Sequence, residues 1–191
     1  AAKIKLDRQV FDLSLRNLIN QAIIYQKESD LIKGILEILR QTIQVRFVAM
    51  FMFDPISERM TLTALDADPE AGTCPSDVQL EAGCGFAGKA AQAAGAIVCN
   101  DLAKEPEASL APEPAWVQTG KNLLALPLSG DKGILGVLYL VDHPQGFVDD
   151  DVELLSDISI QIAIAIQKAQ LHQLAITDGL TGLYIHRYFQ L

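Results

Sequence analysis

Hydrophobic side chains recur at helical spacing near the start of the chain. Within residues 7–26 the apolar positions step by three or four, which places them on one face of a helix. That stripe comprises Phe11, Leu15, Leu18 and Ala22. A second stripe follows the Ser29-Asp30 pair, whose side chains can cap the start of a helix. The pattern therefore predicts two helices before the first strand.

The period changes to two in the middle of the chain. Residues 46–53 form an almost continuous apolar run, which is typical of a strand covered on both faces. Residues 59–65 alternate after the Asp54-Pro55 turn, so the two segments predict a hairpin. Further strands are predicted at 78–80, 96–100, 122–128 and 134–141, and a short helix within the glycine-rich segment 83–95. Residues 101–119 contain three prolines and predict a long loop, which in a compact domain is often functional.

Helical periodicity returns at Asp149 and continues for nearly 28 residues. The main apolar stripe comprises Val152, Leu155, Ile158, Ile162, Ala165 and Ala169, and another face carries Leu154, Ile164 and Leu171. Because two apolar sides exceed what one core covers, we expect the helix to contact both the sheet and a partner helix. A single terminal helix lying flat on the sheet is the simpler alternative.

The order of these elements predicts an α+β domain. An antiparallel sheet would have its helices grouped on one face, with a long helix at the C-terminal end.

Charge and composition narrow the classes of partner. Lys and Arg number 15 against 24 Asp and Glu, which gives a net charge of −9 and argues against nucleic acid binding. No apolar run approaches the roughly 20 residues that span a bilayer, and no signal peptide opens the chain. The three cysteines show neither paired spacing nor a histidine partner at zinc-site distance. We therefore expect a cytoplasmic protein without a metal site.

Several segments together resemble a GAF domain, over roughly residues 28–147. They are the hairpin after the second helix, the glycine turn GCGFAGKAA, VCNDL, LLALPL with ILGVLYLVD, and GFVDDDVELLSDISIQIAIAI. The resemblance implies a PAS-like sensory fold that can bind a small molecule of unknown identity. The positions that it places in the pocket are Leu65, Asp66, Phe86, Ala87, Trp116 and Tyr139.

Residues 175–189, AITDGLTGLYIHRYF, resemble the start of a GGDEF (diguanylate cyclase) domain. The matching residues are Asp178, Leu180, Thr181, Gly182, Leu183 and Arg187, whereas Ile185 stands where the motif usually has Asn. The chain starts with Ala1 and ends within an apolar-periodic stretch, so we expect a fragment. The signature of that domain, with its Mg²⁺ and GTP sites, is expected beyond Leu191, and the fragment itself is not expected to be an enzyme.

These resemblances divide the chain into an N-terminal helix (1–27), a GAF sensory domain (28–147), a signalling helix (148–175) and the start of a GGDEF domain (176–191). The stripe from Val152 to Ala169 is assigned to dimerisation and signalling. The expected function is a small-molecule-sensing, homodimeric domain that controls cyclic di-GMP synthesis through a helical linker.

Two alternatives remain. One is a dimerisation scaffold without a ligand, and the other is a redox enzyme similar to methionine sulfoxide reductases, whose loop nucleophile would fall within 101–119, where this chain has no cysteine.

Overall fold

The computed structural model describes residues 10, 13, 17, 28–69, 78–81, 83–106, 110 and 113–176, with side chains of the last helix up to residue 171. Within these residues the helices are α1 (Glu28–Ile43), α2 (Gly85–Ala93), α3 (Ala115–Gln118) and α4 (Asp149–Ile176). The strands are β1 (Phe47–Asp54), β2 (Arg59–Ala67), β3 (Gln79–Glu81), β4 (Ile97–Cys99), β5 (Leu123–Gly130) and β6 (Gly133–Val141). Each predicted strand lies within a few residues of its expected position.

The strands form one antiparallel sheet in the order β3-β2-β1-β6-β5-β4. The three most apolar segments of the chain, β1, β6 and β5, occupy its centre. Their side chains are buried on both faces along most of their length, which explains why these strands are apolar without a polar alternation.

Alternate residues of the central strands divide between two hydrophobic clusters. On one face, Met50 and Leu138 pack with side chains of α1 and α4. On the opposite face, Phe51 and Tyr139 pack with side chains of α2 and with Trp116. The class is therefore α+β as predicted, with both long helices on one face, and the short helix α2 covers the other.

The apolar stripe of α4 contributes to the core of its own chain. Leu155, Ile158 and Ile162 are at most 2% exposed and share a cluster with residues of β5 and α1, while Ala165 is buried and Val152 and Ala169 pack at its edge. This corrects the predicted role of the stripe as contacts to a partner helix. The reason is that one sheet face and α1 together cover the middle of the stripe, whereas Val152 and Ala169 at its two ends are half-buried.

The other side of α4 remains open to solvent. Ile160, Ile164 and Leu171 are 52%, 45% and 66% exposed. Beside them, Gln170 Nε2 donates a hydrogen bond of 2.7 Å to Glu28 Oε1, which joins the far part of α4 to the first turn of α1. Across the described residues, no helix has the length and apolarity needed to cross a bilayer.

Gly136 allows the two central strands β1 and β6 to approach closely. A Cβ built on Gly136 would overlap the carbonyl oxygen of Phe51, and it would lie 3.1 Å from Met52 Cα. Both neighbours are backbone atoms, so they cannot move aside as a flexible side chain could.

We therefore predict that Gly136→Ala lowers the free energy of unfolding by about 2–3 kcal/mol, as overpacking in a core does. The matched control is Gly95→Ala, because a Cβ there meets nothing closer than 3.6 Å. Urea denaturation of both variants measures the effect, and equal losses would contradict the steric explanation.

Candidate ligand-binding site

The structure brings most of the residues expected in the pocket together on the α2 face of the sheet. Phe86, Ala87, Trp116 and Tyr139 are each at most 5% exposed and belong to one cluster. Leu65 is half-buried and packs against the same cluster. The region is consequently filled by the protein's own side chains.

Asp66 lies on the other face, so its predicted place in the pocket is wrong. Successive residues of a strand point to opposite faces, and Leu65 and Ala67 already face the cluster under α2. Asp66 Oδ2 instead accepts a hydrogen bond of 2.6 Å from Arg40 Nε of α1. The pair fastens α1 to β2.

The glycine turn before α2 presents the first amides of that helix to the rest of the site. A Cβ on Gly88 would overlap the backbone of Gly83, so the turn can fold tightly over the helix only with glycine there. The amide of Phe86 donates to Glu113 Oε1 at 2.6 Å, and the amide of Ala87 donates to the Tyr139 hydroxyl at 2.6 Å. Two amides that would otherwise lack helical partners are thereby satisfied.

Glu113 is the residue of this site that sequence reasoning missed. It comes from the predicted 101–119 loop, is 3% exposed, and accepts the Tyr139 hydroxyl at 3.0 and 3.1 Å. We call this arrangement the Glu113 latch: the Glu113 carboxylate bound to the Phe86 amide and the Tyr139 hydroxyl. It ties the loop to the first turn of α2 and to β6. The sequence shows only an acid beside Pro114, which gives no sign of burial.

Burial governs the protonation of both groups in the latch. It raises the pKa of the Glu113 carboxyl above its ordinary value, although hydrogen bonds from Phe86 and Tyr139 and the charge of Lys89 favour the ionised form. Burial, followed by the nearby Glu113 charge, also raises the pKa of Tyr139 well above its usual range. Tyr139 thus stays protonated, and its hydroxyl donates a hydrogen bond to the Glu113 carboxylate.

Trp116 lies on the same loop segment and carries an unpaired donor. Its ring packs beside Phe47, with 5.5 Å between the ring centroids. Its Nε1 is buried, and no described residue accepts a hydrogen bond from it. A buried donor without a partner costs about 1–3 kcal/mol.

An open cleft lies elsewhere, at the end of the sheet where β1 leads to β2 and β5 leads to β6. Its volume is about 700 Å³, and its lining includes Met52, Met60, Gln92, Lys132 and Gln170. None of the six residues expected in the pocket lines it.

The remaining sequence-based candidates give no metal or thiol centre in the described part of the chain. No group of three or more His, Cys, Asp or Glu residues there could hold a metal ion. Cys84 is exposed at the start of α2, and burial raises the pKa of the Cys99 thiol. Cys74 lies outside the described residues. So do the residues matching the GGDEF start, Asp178, Leu180, Thr181, Gly182, Leu183 and Arg187.

A six-stranded antiparallel sheet, with two long helices on one face and a short helix on the other, defines a small α+β domain. The model of one family, described as the GAF domain, matches residues 26–167. The chain therefore belongs to the GAF family. No curated protein matches it.

Solved structures share this fold at low sequence identity. The GAF domain of phosphoenolpyruvate-protein phosphotransferase from Coxiella burnetii is 16% identical, with a TM-score of 0.68 over 86% of this chain and 96% of that one. The corresponding domain from Acinetobacter is 18% identical, with a TM-score of 0.67 over 83% and 93%. A free methionine-R-sulfoxide reductase from Neisseria meningitidis, solved with its substrate, is 14% identical, with a TM-score of 0.67 over 86% and 92%.

The latch predicts a pH dependence of stability. The folded protein holds the Glu113 proton more tightly than the unfolded chain does, because the folded pKa is raised. The stabilisation that comes from this tighter proton binding is therefore complete below the ordinary pKa of 4.5. It is lost as the pH rises through the pKa of Glu113 in the folded protein. In Glu113→Gln this loss is absent, so the variant gains stability relative to the wild type as pH rises.

Denaturation in urea at a series of pH values tests this expectation. Glu81→Gln, at an exposed position of β3, is the control and should follow the wild-type profile. A constant difference between Glu113→Gln and the wild type across the series would show that the carboxyl does not titrate differently on folding.

Proposed function

We propose that this GAF domain senses a small molecule under the 101–119 loop and regulates a diguanylate cyclase. The observation that carries the sensing part is the pairing of the Glu113 latch with the unpaired Trp116 donor on one segment of chain. A ligand with a hydrogen-bond acceptor would satisfy Trp116 Nε1, and a carboxylate or phosphate group would compete with Glu113 for the Phe86 amide.

The latch also connects the ligand site to the strands on which α4 packs. Tyr139 lies on β6, which pairs with β1 and β5, and α4 packs against the opposite face of these strands. Releasing Glu113 from Tyr139 would alter the packing of the sheet that supports α4. The ligand shifts this equilibrium only if it binds one of the two arrangements more tightly.

The output proposed for α4 is a cyclase. The helix runs to Ile176, immediately before residues 178–187 that resemble the start of a GGDEF domain. Because cyclic di-GMP is built from two GTP molecules, two such domains must face each other, so we propose a cytoplasmic homodimer. The exposed side of α4, with Ile160, Ile164 and Leu171, supports a contact between copies. Mg²⁺ and GTP would bind in the cyclase domain and not in the sensory domain.

A second candidate is a GAF domain that binds nothing and serves as a dimerisation scaffold. The observation that favours it is the burial of Phe86, Trp116 and Tyr139 against one another in this site. A third, reductase activity, draws on the similarity of fold to the reductase described above. The 101–119 loop contains no cysteine to act as a nucleophile, so we propose binding without turnover even if methionine sulfoxide enters the site.

A ligand screen separates these functions. Nucleotides, carboxylates, phosphorylated metabolites and both epimers of free methionine sulfoxide are tested by thermal shift and native mass spectrometry. A sensor gives at least one compound that raises the melting temperature, and its Kd is about tenfold higher for Trp116→Phe, which lacks the donor but keeps an aromatic ring. A stable dimer without any hit supports the scaffold, and consumption of methionine-R-sulfoxide with a thiol reductant supports the reductase.

Insertions after Ala175 test the connection from α4 to the proposed cyclase domain. They are made in a protein that includes the residues encoded after Leu191. Each residue inserted after Ala175 rotates the following segment by about 100°. Two inserted residues should therefore abolish ligand control of cyclic di-GMP synthesis, whereas seven should largely retain it because they restore the original face. Equal control in both variants contradicts transmission along the helix, and a continuation without a GGDEF signature removes the proposed output.

A further inference from the structure

The central strands β1 and β6 separate before they end. Their last pair is Met52 with Gly136, yet β1 continues to Asp54 and β6 begins at Gly133. Beyond that pair each strand stays with its outer neighbour, β1 with β2 and β6 with β5. The sheet is therefore split at this end, between two strands that are neighbours along the rest of their length.

A bulge at the start of β6 accompanies the split. The pairing of β5 with β6 shifts from Leu128–Gly136 to Ser129–Ile134, which leaves Leu135 as the extra residue. A bulge bends its strand and increases the local twist, which explains how β6 leaves β1 here. The cleft of about 700 Å³ lies in this opening, with Phe53 on one side and Ile134 on the other.

The cleft is reached from both faces of the sheet. Gln170 of α4 lines it from one face, and Ala91 and Gln92 of α2 line it from the other. The floor between them is apolar and includes the thioethers of Met52 and Met60, which adapt readily to an irregular ligand. Its volume falls within the range of about 300–1,000 Å³ that is usual for small-molecule sites.

The polar groups of the lining favour an anion. Among the described residues that line the cleft, the ionisable side chain is Lys132, and the amides of Gln92 and Gln170 can donate hydrogen bonds. Lys132 lies exposed on the β5–β6 turn and forms no ion pair with a described residue. None of the described residues that line the cleft carries a carboxylate, in a chain whose net charge is −9.

We infer that this cleft between β1 and β6 binds a small monocarboxylate with an apolar body, separately from the loop-covered site. The apolar body lies against Met52, Met60, Ile134 and Leu135, and the carboxylate meets Lys132. The same ligand would contact Gln170, whose amide is bonded to Glu28, so it would bind where α4 and α1 meet. The inference does not rest on the proposed function.

Three probes with one alkyl chain and different charge test this site: decanoate, decanamide and decylammonium, each below its aggregation limit. Titration calorimetry should show decanoate binding most tightly, decanamide about tenfold more weakly and decylammonium weakest. Lys132→Gln should weaken decanoate about tenfold and leave decanamide unchanged. Lys33→Gln, an exposed lysine on α1, is the matched control and should bind decanoate as the wild type does.

The three methionines of the chain locate the probe. Met52 and Met60 line the cleft, whereas Met50 is buried in the cluster beneath α1 and α4. Methyl NMR should therefore show decanoate shifting the first two signals and leaving Met50 in place. The indole signal of Trp116 reports the loop-covered site in the same spectra and should also stay in place.

A variant that narrows the cleft supplies the remaining test. Ala91→Leu enlarges a residue of the α2 wall and should weaken decanoate and decanamide together by about tenfold or more, at unchanged circular dichroism. The inference is overturned if decanoate does not bind, if the three probes bind alike, or if Lys132→Gln matches Lys33→Gln. It is also overturned if the Trp116 signal moves in place of Met52 and Met60, since the probe then occupies the other site.

Discussion

The burial of β1, β5 and β6 on both faces is the constraint on which the domain depends. Helices must cover one face and α2 with its neighbouring segments the other, because nearly all side chains on both faces of these strands are apolar. The polar groups that enter such a core need partners, and the Tyr139 hydroxyl on β6 finds them in Glu113 and the Ala87 amide. The same carboxylate accepts the Phe86 amide, so these hydrogen bonds hold Glu113 against the first turn of α2.

Much of the fold could be predicted from local patterns. The apolar run at 46–53 and the stripe from Val152 to Ala169 each identify an element and its type, because periodicity reflects the faces that are buried. What a pattern does not identify is which surface buries it. The stripe on α4 would have the same sequence pattern whether a sheet or a partner helix covered it. In the structure, the sheet and α1 cover it.

The candidate site was harder to predict, for reasons that differ among its residues. Leu65 and Asp66 are adjacent in a strand, so at most one of them could face the pocket, and the resemblance to a family did not distinguish them. Glu113 gained its role from burial against β6 and α2, neither of which is near it in sequence. The cleft depends on where β1 and β6 cease to pair, a property of strand register that composition does not encode.

The two edge strands of the sheet have a consequence for how copies of the domain can associate. The edges β3 and β4 are each 3 residues long. Such short edges expose few backbone groups for a second chain to pair with, which protects the domain against growth into continuous sheets and fibrils. Association of copies through added strands is therefore disfavoured at both edges of the sheet.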